Sequence, residues 1–279
     1  MMRIIGLFLI ALLLTAISST LVMAEPIRLQ DSSKADESYN KGLKYLEALK
    51  YDEAVEEFKR TLQLNPNHGN AYHGLGAAYH KLGRYNEAVE ALKEAVRLKP
   101  KDVDAHFDLG TAFARLTRFN EAIEAFKQAI NIKPDDAQAY YLLGLSYQYN
   151  GEHTKAVEAY EKQVQLKPED AKALSVLVDA YMNVGKYKEA IATNKRWIIV
   201  SPDSTRAQAS LGEGYMSSGQ YEEAIELYKQ LIVLKPGDHE AHYKLGKTYE
   251  TARRYREAAA SYRQAIGLKQ DYTQAYYDL

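Results

Sequence analysis

A 34-residue period is the feature that most constrains the fold of this chain. Residues 69–102 read GNAYHGLGAAYHKLGRYNEAVEALKEAVRLKPKD, and the same residue types return at steps of 34 in both directions. Position 8 of this unit is glycine in six of seven copies, position 20 is always alanine, and position 32 is proline in six copies. Seven repeats, numbered 1 to 7, therefore follow one another without insertion: residues 35–68, 69–102, 103–136, 137–170, 171–204, 205–238 and 239–272.

Each repeat has the apolar spacing of two helices, A and B. In repeat 2, Tyr72, Leu75 and Tyr79 lie on one helical face, and Ala88 and Leu92 begin a second face further along. Two amphipathic helices cannot bury both faces by themselves, so neighbouring repeats must stack on each other. The sequence therefore predicts an all-α fold, an α-α superhelical solenoid.

Two short elements within the repeat resemble a known family. They are L-G-x-x-Y, formed by Leu75, Gly76 and Tyr79 in repeat 2, and A-x-x-x-F, formed by Ala122 and Phe126 in repeat 3. With the 34-residue period, they resemble the tetratricopeptide repeat (TPR) over nearly the whole chain behind its N-terminal segment. The resemblance implies a concave groove lined by helix A, with positions 2, 5, 9, 12 and 13 pointing into it. It also implies that a peptide or helical segment of another protein binds there.

Aromatic rings at position 5 identify the candidate binding surface. Repeats 1 to 4 carry a ring at this position, whereas repeats 5 and 6 carry Ser175 and Ala209. Exposed rings offer a large contact area at small entropic cost, which suits peptide docking. The alternative interpretation is that these rings pack on neighbouring helices. The predicted partner-binding residues are Tyr39, His73, Ala77, His80, Phe107, Thr111, Arg115, Tyr141, Gln148 and Tyr149.

The first 24 residues have the layout of a signal peptide. Arg3 gives a positive start, residues 4–17 are almost wholly apolar, and Val22 and Ala24 place small residues before a cleavage point. An uncleaved membrane anchor is the alternative, because residues 4–24 could just span a bilayer. Residues 25–34 are polar and predict a flexible leader. We expect export, to a bacterial periplasm or cell surface, since the chain also lacks cysteine and N-glycosylation sequons.

No catalytic or metal-binding pattern is found in the sequence. The net charge is -1 and there is no cysteine, so neither a polyanion partner nor a thiol nucleophile is indicated. His73 and His80 are seven residues apart, too far to share an ion, and His239 and His242 lack the i, i+4 spacing of a zinc protease. We predict a non-enzymatic protein with no cofactor and no metal. Its partner is another protein, with no nucleic acid and no small-molecule substrate evident.

The C-terminal residues leave a second function open. Residues 273–279 match the start of an eighth helix A, which we interpret as that of a truncated chain. The alternative function is accordingly a substrate-docking arm of a larger enzyme whose catalytic domain lies beyond Leu279. An uncapped last repeat would also allow the chain to associate with itself.

Helix caps and one irregular repeat complete the sequence-based predictions. Repeat 5 has Val178 at position 8, Asn194 at position 24 and Trp197 at position 27, which predicts local repacking or, alternatively, a change in superhelical pitch. Side chains that can accept hydrogen bonds from the first turn recur before each helix. The predicted N-caps are Asp102, Asp136, Asp170, Ser204 and Asp238 for helix A, and Asp52, Asn86, Asn120 and Thr154 for helix B.

Overall fold

The computed structural model describes residues 32–279, and the predicted signal peptide lies outside this range. The described residues form fifteen helices and no strand, which confirms the all-α solenoid fold class. Between residues 32 and 279, no helix combines the length and the hydropathy needed to cross a bilayer. The helices are α1 (residues 32–47), α2 (Tyr51–Leu64), α3 (Gly69–Lys81), α4 (Tyr85–Leu98), α5 (Val103–Arg115), α6 (Phe119–Ile132), α7 (Ala137–Tyr149), α8 (His153–Leu166), α9 (Ala171–Asn183), α10 (Tyr187–Val200), α11 (Thr205–Ser217), α12 (Tyr221–Leu234), α13 (His239–Thr251), α14 (Tyr255–Leu268) and α15 (Thr273–Asp278).

Two compact units make up the chain. The N-terminal unit ends at Pro134 and contains α1–α6, and the C-terminal unit, Asp135–Leu279, contains α7–α15. In the C-terminal unit each helix from α7 to α15 packs on the next, as do α2 to α6 in the N-terminal unit. There α3 also contacts α5, so the A helices of repeats 2 and 3 are neighbours. This contact brings side chains from successive repeats onto one surface.

The first helix begins earlier than the sequence predicts. α1 is helical from residue 32, the first described residue, so the last three residues of the predicted leader are helical. Ala35 is fully buried, and the residues before it add a solvent-exposed first turn to the same helix. The predicted leader, residues 25–34, is therefore wrong at its C-terminal boundary.

The predicted caps are correct for helix A and wrong for helix B. For α5, α7, α9, α11 and α13 the predicted Asp or Ser accepts hydrogen bonds from backbone N–H groups of the first turn. α2, α4, α6 and α8 begin at position 17 of the repeat, before the predicted caps at position 18, and their N-cap side chains make no capping hydrogen bond. The residues predicted to cap them, Asp52, Asn86, Asn120 and Thr154, consequently lie inside the first turn.

The turn between helices A and B fixes where helix B begins. Position 15 of the repeat has a positive φ, for example 75° at Gly83, where the missing Cβ removes the steric penalty. Leu49, Thr117 and Arg253 adopt the same left-handed conformation at φ 57–60°. Because this residue reverses the chain at a fixed point, helix B starts two residues later in every repeat.

Position 8 and position 24 are packing partners within each repeat. A Cβ added at Gly110 would lie 2.7 Å from Cε1 of Phe126, and one added at Gly246 would lie 2.6 Å from Cδ1 of Tyr262. Real side chains do not approach this closely. Position 8 is therefore small because the side chain at position 24 fills the space between helices A and B.

Repeat 5 exchanges the sizes of these two residues. Val178 at position 8 and Asn194 at position 24 are both buried. With its amide nitrogen oriented toward Ala207, Asn194 can donate to the Ala207 carbonyl (2.9 Å) and accept from the Leu211 backbone N–H (2.9 Å). In repeat 5 the bulky apolar side chain of the pair is therefore on helix A, whereas in the other repeats it is on helix B. Trp197, the predicted change at position 27, is buried as well.

The short last helix covers part of repeat 7. In α15, Ala275 is fully buried, whereas Tyr277 is 86% exposed. Asp278 accepts a hydrogen bond from the Tyr243 hydroxyl at 2.8 Å and lies 3.7 Å from the Lys247 ammonium group. These contacts dock α15 on α13 through polar groups as well as through its small apolar face.

Candidate partner-binding surfaces

The position-5 rings pack on the position-24 ring of their own repeat. None of the three rings on helix A of repeats 1, 3 and 4 is fully buried, and each keeps part of its surface exposed. Part of each ring therefore packs in the core, and only the remainder is open to a partner. The centroid distances are 5.9 Å for Tyr39–Phe58, 5.8 Å for Phe107–Phe126 and 6.3 Å for Tyr141–Tyr160, within the range of favourable aromatic pairs.

Tyr39 also contacts the start of the next helix A. Its ring centroid lies 4.8 Å from that of His68, and His68 Nδ1 accepts a hydrogen bond from the Ala71 N–H. His68 thereby caps α3, a role that Asp or Ser performs in the later repeats. The ring of Tyr39 is consequently held from two sides.

His73 joins repeat 2 to repeat 3. Its Nε2 lies 2.9 Å from Asp108 Oδ2, and the two side chains are 25% and 39% exposed. Burial of the imidazole lowers its pKa, but the hydrogen bond and the negative charge of Asp108 outweigh burial, so the pKa of His73 lies above its usual value. The pair is an ionic link between α3 and α5.

His80 and Arg115 meet at Tyr85, the first residue of α4. The His80 ring centroid is 5.3 Å from that of Tyr85, and the Arg115 guanidinium lies 6.0 Å from the same ring. Burial, followed by the positive charges of Arg115 and Lys81, lowers the pKa of His80 despite the attraction of Asp108. His80 Nε2 is buried without a hydrogen-bond partner. The neutral imidazole of His80 and the exposed guanidinium of Arg115 therefore both lie beside the Tyr85 ring.

Two of the residues predicted in the N-terminal unit, Thr111 and Ala77, have small side chains. Thr111 supports helix α5 and Ala77 occupies little space. Thr111 Oγ1 donates to the Phe107 carbonyl at 3.0 Å, so its hydroxyl is used within the helix. Ala77 is half-buried between His73 and Lys81 on α3. Neither side chain presents a free polar group to a partner.

The C-terminal unit holds the other three predicted residues. The Lys172 ammonium group lies 5.0 Å from the centre of the Tyr141 ring. Gln148 accepts a hydrogen bond from the buried Tyr160 hydroxyl at 3.1 Å, and burial raises the pKa of that phenol. Tyr149 is 69% exposed. Gln148 is thus mainly a structural residue, while Tyr149 offers the most open ring of the predicted set.

Sequence reasoning missed Asp108 and the polar link that it represents. A second link with the same separation of 35 residues joins Tyr243 to Asp278, from position 5 of repeat 7 to position 6 of the next helix A. Burial and the Asp278 carboxylate raise the pKa of Tyr243 to about 12. A comparison of position 5 in each repeat with position 6 in the next repeat would have identified both pairs.

The His73–Asp108 pair predicts a pH-dependent contribution to stability. Because the folded-state pKa of His73 is raised, its contribution is fully present below the unfolded value of about 6.5 and is lost as pH rises through the folded value. We expect wild type to exceed His73→Gln in stability by about 0.5 kcal/mol more at pH 5.5 than at pH 8.5, a small value because both groups are partly exposed. Thermal unfolding of both proteins at the two pH values measures this difference.

His80 is present in both wild type and His73→Gln, and its protonation has the opposite effect on stability from that of His73. Its lowered pKa removes stability as pH falls, so the absolute melting temperatures alone cannot report on His73. Asp102 and Asp104 also face His73 and stay unchanged in the variant. A stability gap of equal size at both pH values would refute the ionic link.

Among residues 32–279, no group of three or more histidines or carboxylates is placed to hold a metal ion. The surfaces instead consist of half-exposed rings and of charges that are partly paired within the chain. Such a surface on stacked helix pairs defines a protein-interaction scaffold of the helical-repeat class.

Comparison with known families gives the particular class. Models described as TPR repeat match residues 42–83, 78–116, 118–151 and 212–251, and models described as Tetratricopeptide repeat match residues 148–213 and 239–272. The chain belongs to the tetratricopeptide repeat family. No curated protein matches it in sequence.

Solved structures with the same fold include several TPR proteins. The MamA protein is 32% identical, with a TM-score of 0.58 over 62% of this chain and 94% of its own. The C-terminal part of a TPR repeat-containing protein from Cytophaga hutchinsonii is 18% identical, with a TM-score of 0.70 over 86% of this chain and 99% of its own. YrrB, described as a TPR protein with an unusual peptide-binding site, is 20% identical, with a TM-score of 0.54 over 68% of this chain and 97% of its own.

Proposed function

We propose that this chain is a non-enzymatic scaffold that binds a peptide or helical segment of a partner protein on the exposed surfaces of its A helices. The observation that carries the proposal is the set of position-5 rings in repeats 1, 3 and 4, each packed on a position-24 ring and each still partly exposed. A ring that is already immobilised loses little side-chain entropy when a partner binds.

The remaining predicted residues add different chemistry around these rings. Arg115 is exposed and charged, and Tyr149 is an exposed aromatic side chain. Aromatic side chains and arginine are the residue types enriched among those that dominate binding energy at protein interfaces. We propose these two exposed side chains as partner-contacting residues.

A peptide-display selection on the full chain tests the proposal. Peptides that bind wild type are re-measured against the double variant Arg115→Ala/Tyr149→Ser. The matched control is Arg97→Ala/Tyr255→Ser, which removes an exposed arginine of α4 and a tyrosine of α14 that is 65% exposed. We expect about a tenfold or greater loss of affinity for the first pair and less than about twofold for the control. Equal effects of both pairs, or no selected peptide at all, would contradict the proposal.

We also propose that the protein is exported after cleavage behind Ala24. The charged start, apolar run and small residues of the first 24 residues support this. N-terminal sequencing of the protein recovered from the envelope fraction should begin at Glu25. A protein that retains Met1 would support the membrane-anchor alternative.

A further inference from the structure

The last turn of helix B carries exposed aliphatic side chains in repeats 5 and 6. Position 29 is glycine in repeat 7 and polar in repeats 1 to 4, where the residues are Gln63, Arg97, Asn131 and Gln165. In repeats 5 and 6 it is Ile199 and Val233, and each is 79% exposed. The next residue of repeat 6, Leu234, is 73% exposed. Single exposed aliphatic residues are common on protein surfaces, but a group of them marks a binding site.

Ile199 and Val233 lie on one surface of the C-terminal unit. The helices that carry them, α10 and α12, both pack on α11. Because successive repeats stack in the same orientation, residues at one repeat position form a row along the unit. Helix α14 continues the row into repeat 7. We call positions 25–31 of these three repeats, residues 195–201, 229–235 and 263–269, the helix-B end surface.

The helix-B end surface is positively charged, although the net charge of the whole chain is -1. Its three segments contain no Asp or Glu. They contain six exposed Lys and Arg residues: Lys195, Arg196, Lys229, Lys235, Arg263 and Lys269. At the edge of the surface, the loops that follow add Asp203 and Asp271 as exposed acids, and Asp238 caps α13. The surface therefore keeps an excess of positive charge.

Contacts within the chain do not neutralise these six charges. Arg196 donates a hydrogen bond to the Pro168 carbonyl at 3.4 Å. Lys195 and Lys269 lie 5.7 Å and 5.4 Å from the centres of tyrosine rings. Among residues 32–279, none of the six forms an ion pair. Their charge is consequently open to an external anion.

Repeats 1 to 3 pair the cation that repeats 5 to 7 leave without a carboxylate. There the lysine at position 25 lies 2.8–3.2 Å from the glutamate at position 22, in the pairs Lys59–Glu56, Lys93–Glu90 and Lys127–Glu124. In repeats 5 and 7, position 22 is Ala192 and Ala260. In repeat 6, Glu226 accepts a hydrogen bond from Gln230 and forms no ion pair with Lys229. Cations at helix C-termini are ordinary because they complement the helix dipole, but here they also surround exposed aliphatic side chains.

Lysine beside aliphatic side chains matches an anionic lipid surface better than a protein partner. Protein interfaces are depleted in lysine and enriched in aromatic residues. On the helix-B end surface, four of the six cations are lysines, and the exposed apolar side chains are aliphatic. A lysine can hold its ammonium group among lipid head groups while its stem and the neighbouring aliphatic residues lie deeper. Each cation near an anionic membrane raises affinity about fivefold.

We propose that the helix-B end surface binds the head-group region of an anionic lipid membrane. Ile199, Val233 and Leu234 insert among the lipids, and the six cations contact acidic head groups. This binding is peripheral, and it uses helix B, whereas the proposed peptide-binding surface belongs to helix A. The proposal therefore does not depend on the peptide-binding function.

A fluorescent label at position 29 tests the proposal on the full chain. The chain has no cysteine, so Ile199→Cys can be labelled at one place with the environment-sensitive dye NBD. We expect saturable, blue-shifted emission with vesicles of phosphatidylglycerol and phosphatidylcholine, and about tenfold or more weaker binding to phosphatidylcholine alone. The matched control is Gln63→Cys, an exposed residue at the same position of repeat 1, where we expect no shift. This local readout separates the surface from any membrane binding by residues 1–24.

Charge variants in the labelled Ile199→Cys protein identify the cations. The triple variant Lys195→Gln/Lys229→Gln/Arg263→Gln should weaken vesicle binding about tenfold or more. The control Lys59→Gln/Lys93→Gln/Lys127→Gln removes the same net charge at the same position of repeats 1 to 3, and we expect less than about a twofold change. Val233→Ser removes an inserted side chain and should weaken binding about threefold or more.

Several outcomes would overturn the lipid assignment. They are no emission change at position 199 with acidic vesicles, equal changes at positions 63 and 199, equal binding to acidic and neutral vesicles, and equal losses in the two triple variants. Polyglutamate that reproduces the shift would identify an acidic protein as the partner. A shift on concentrating the protein without lipid would identify a second copy of this chain. None of these results alters the peptide-display test, so the two proposals fail separately.

Discussion

Gly144→Val is expected to destabilise the C-terminal unit by about 2–3 kcal/mol, because the new side chain enters space that Tyr160 already fills. A Cβ at this position would lie 2.7 Å from Tyr160 Cδ1 and closer still to Cε1. The tyrosine cannot move away freely, since its ring is fully buried and its hydroxyl is bonded to Gln148. Urea-induced loss of the helical circular-dichroism signal measures the change.

The matched control is Gly237→Val. It introduces the same side chain in the same unit, where nothing lies within 4 Å of the added Cβ and φ is not positive. We expect less than about 0.5 kcal/mol of destabilisation there. Equal effects at the two glycines would show that valine disturbs the backbone rather than the contact between helices A and B.

Repeat 5 suggests how the Gly144→Val defect can be relieved. There Val178 and Asn194 occupy positions 8 and 24 and are both buried. We expect Tyr160→Asn to destabilise by about 3 kcal/mol on its own. The double variant should be about 2 kcal/mol more stable than the sum of the two single changes, because the smaller asparagine leaves room for valine. Simple additivity would mean that these two positions do not share one packing space.

The fold was predictable because its information is repeated. A single Tyr79 or Ala88 is compatible with many structures, but seven copies in register leave helix pairs stacked on helix pairs. Helix A caps were predictable for a local reason: an Asp or Ser stands one residue before the helix and accepts its first N–H groups. The caps of helix B were not, because the residue at position 15 with positive φ fixes the start of that helix at position 17, ahead of the predicted caps.

The candidate surfaces were only partly predictable. The position-5 rings are found by comparing one position of the repeat across all copies. Their packing on position 24 is found only when two positions are compared together. The fraction of each ring that stays exposed depends on how neighbouring helices approach one another, which follows from side-chain packing over several helices. Sequence patterns do not contain this information.

Phe107→Ala is expected to destabilise the N-terminal unit by about 2 kcal/mol. The value is below that of a fully buried phenylalanine, because part of this ring is exposed. The loss comes from the contact with Phe126, whose ring is completely buried and lies 5.8 Å away. Urea unfolding of the variant measures this cost independently of any partner.

Phe107→Tyr is the control that separates packing from binding. Tyrosine occupies position 5 in repeats 1, 4 and 7, where it packs on the position-24 ring, so we expect a change in stability below about 0.5 kcal/mol. Reduced peptide capture by Phe107→Ala counts as evidence for a binding role only at urea-free conditions where the variant remains folded. If Phe107→Ala costs no more stability than Phe107→Tyr, the ring is not part of the core, and its presence on helix A has to be explained by partner binding alone.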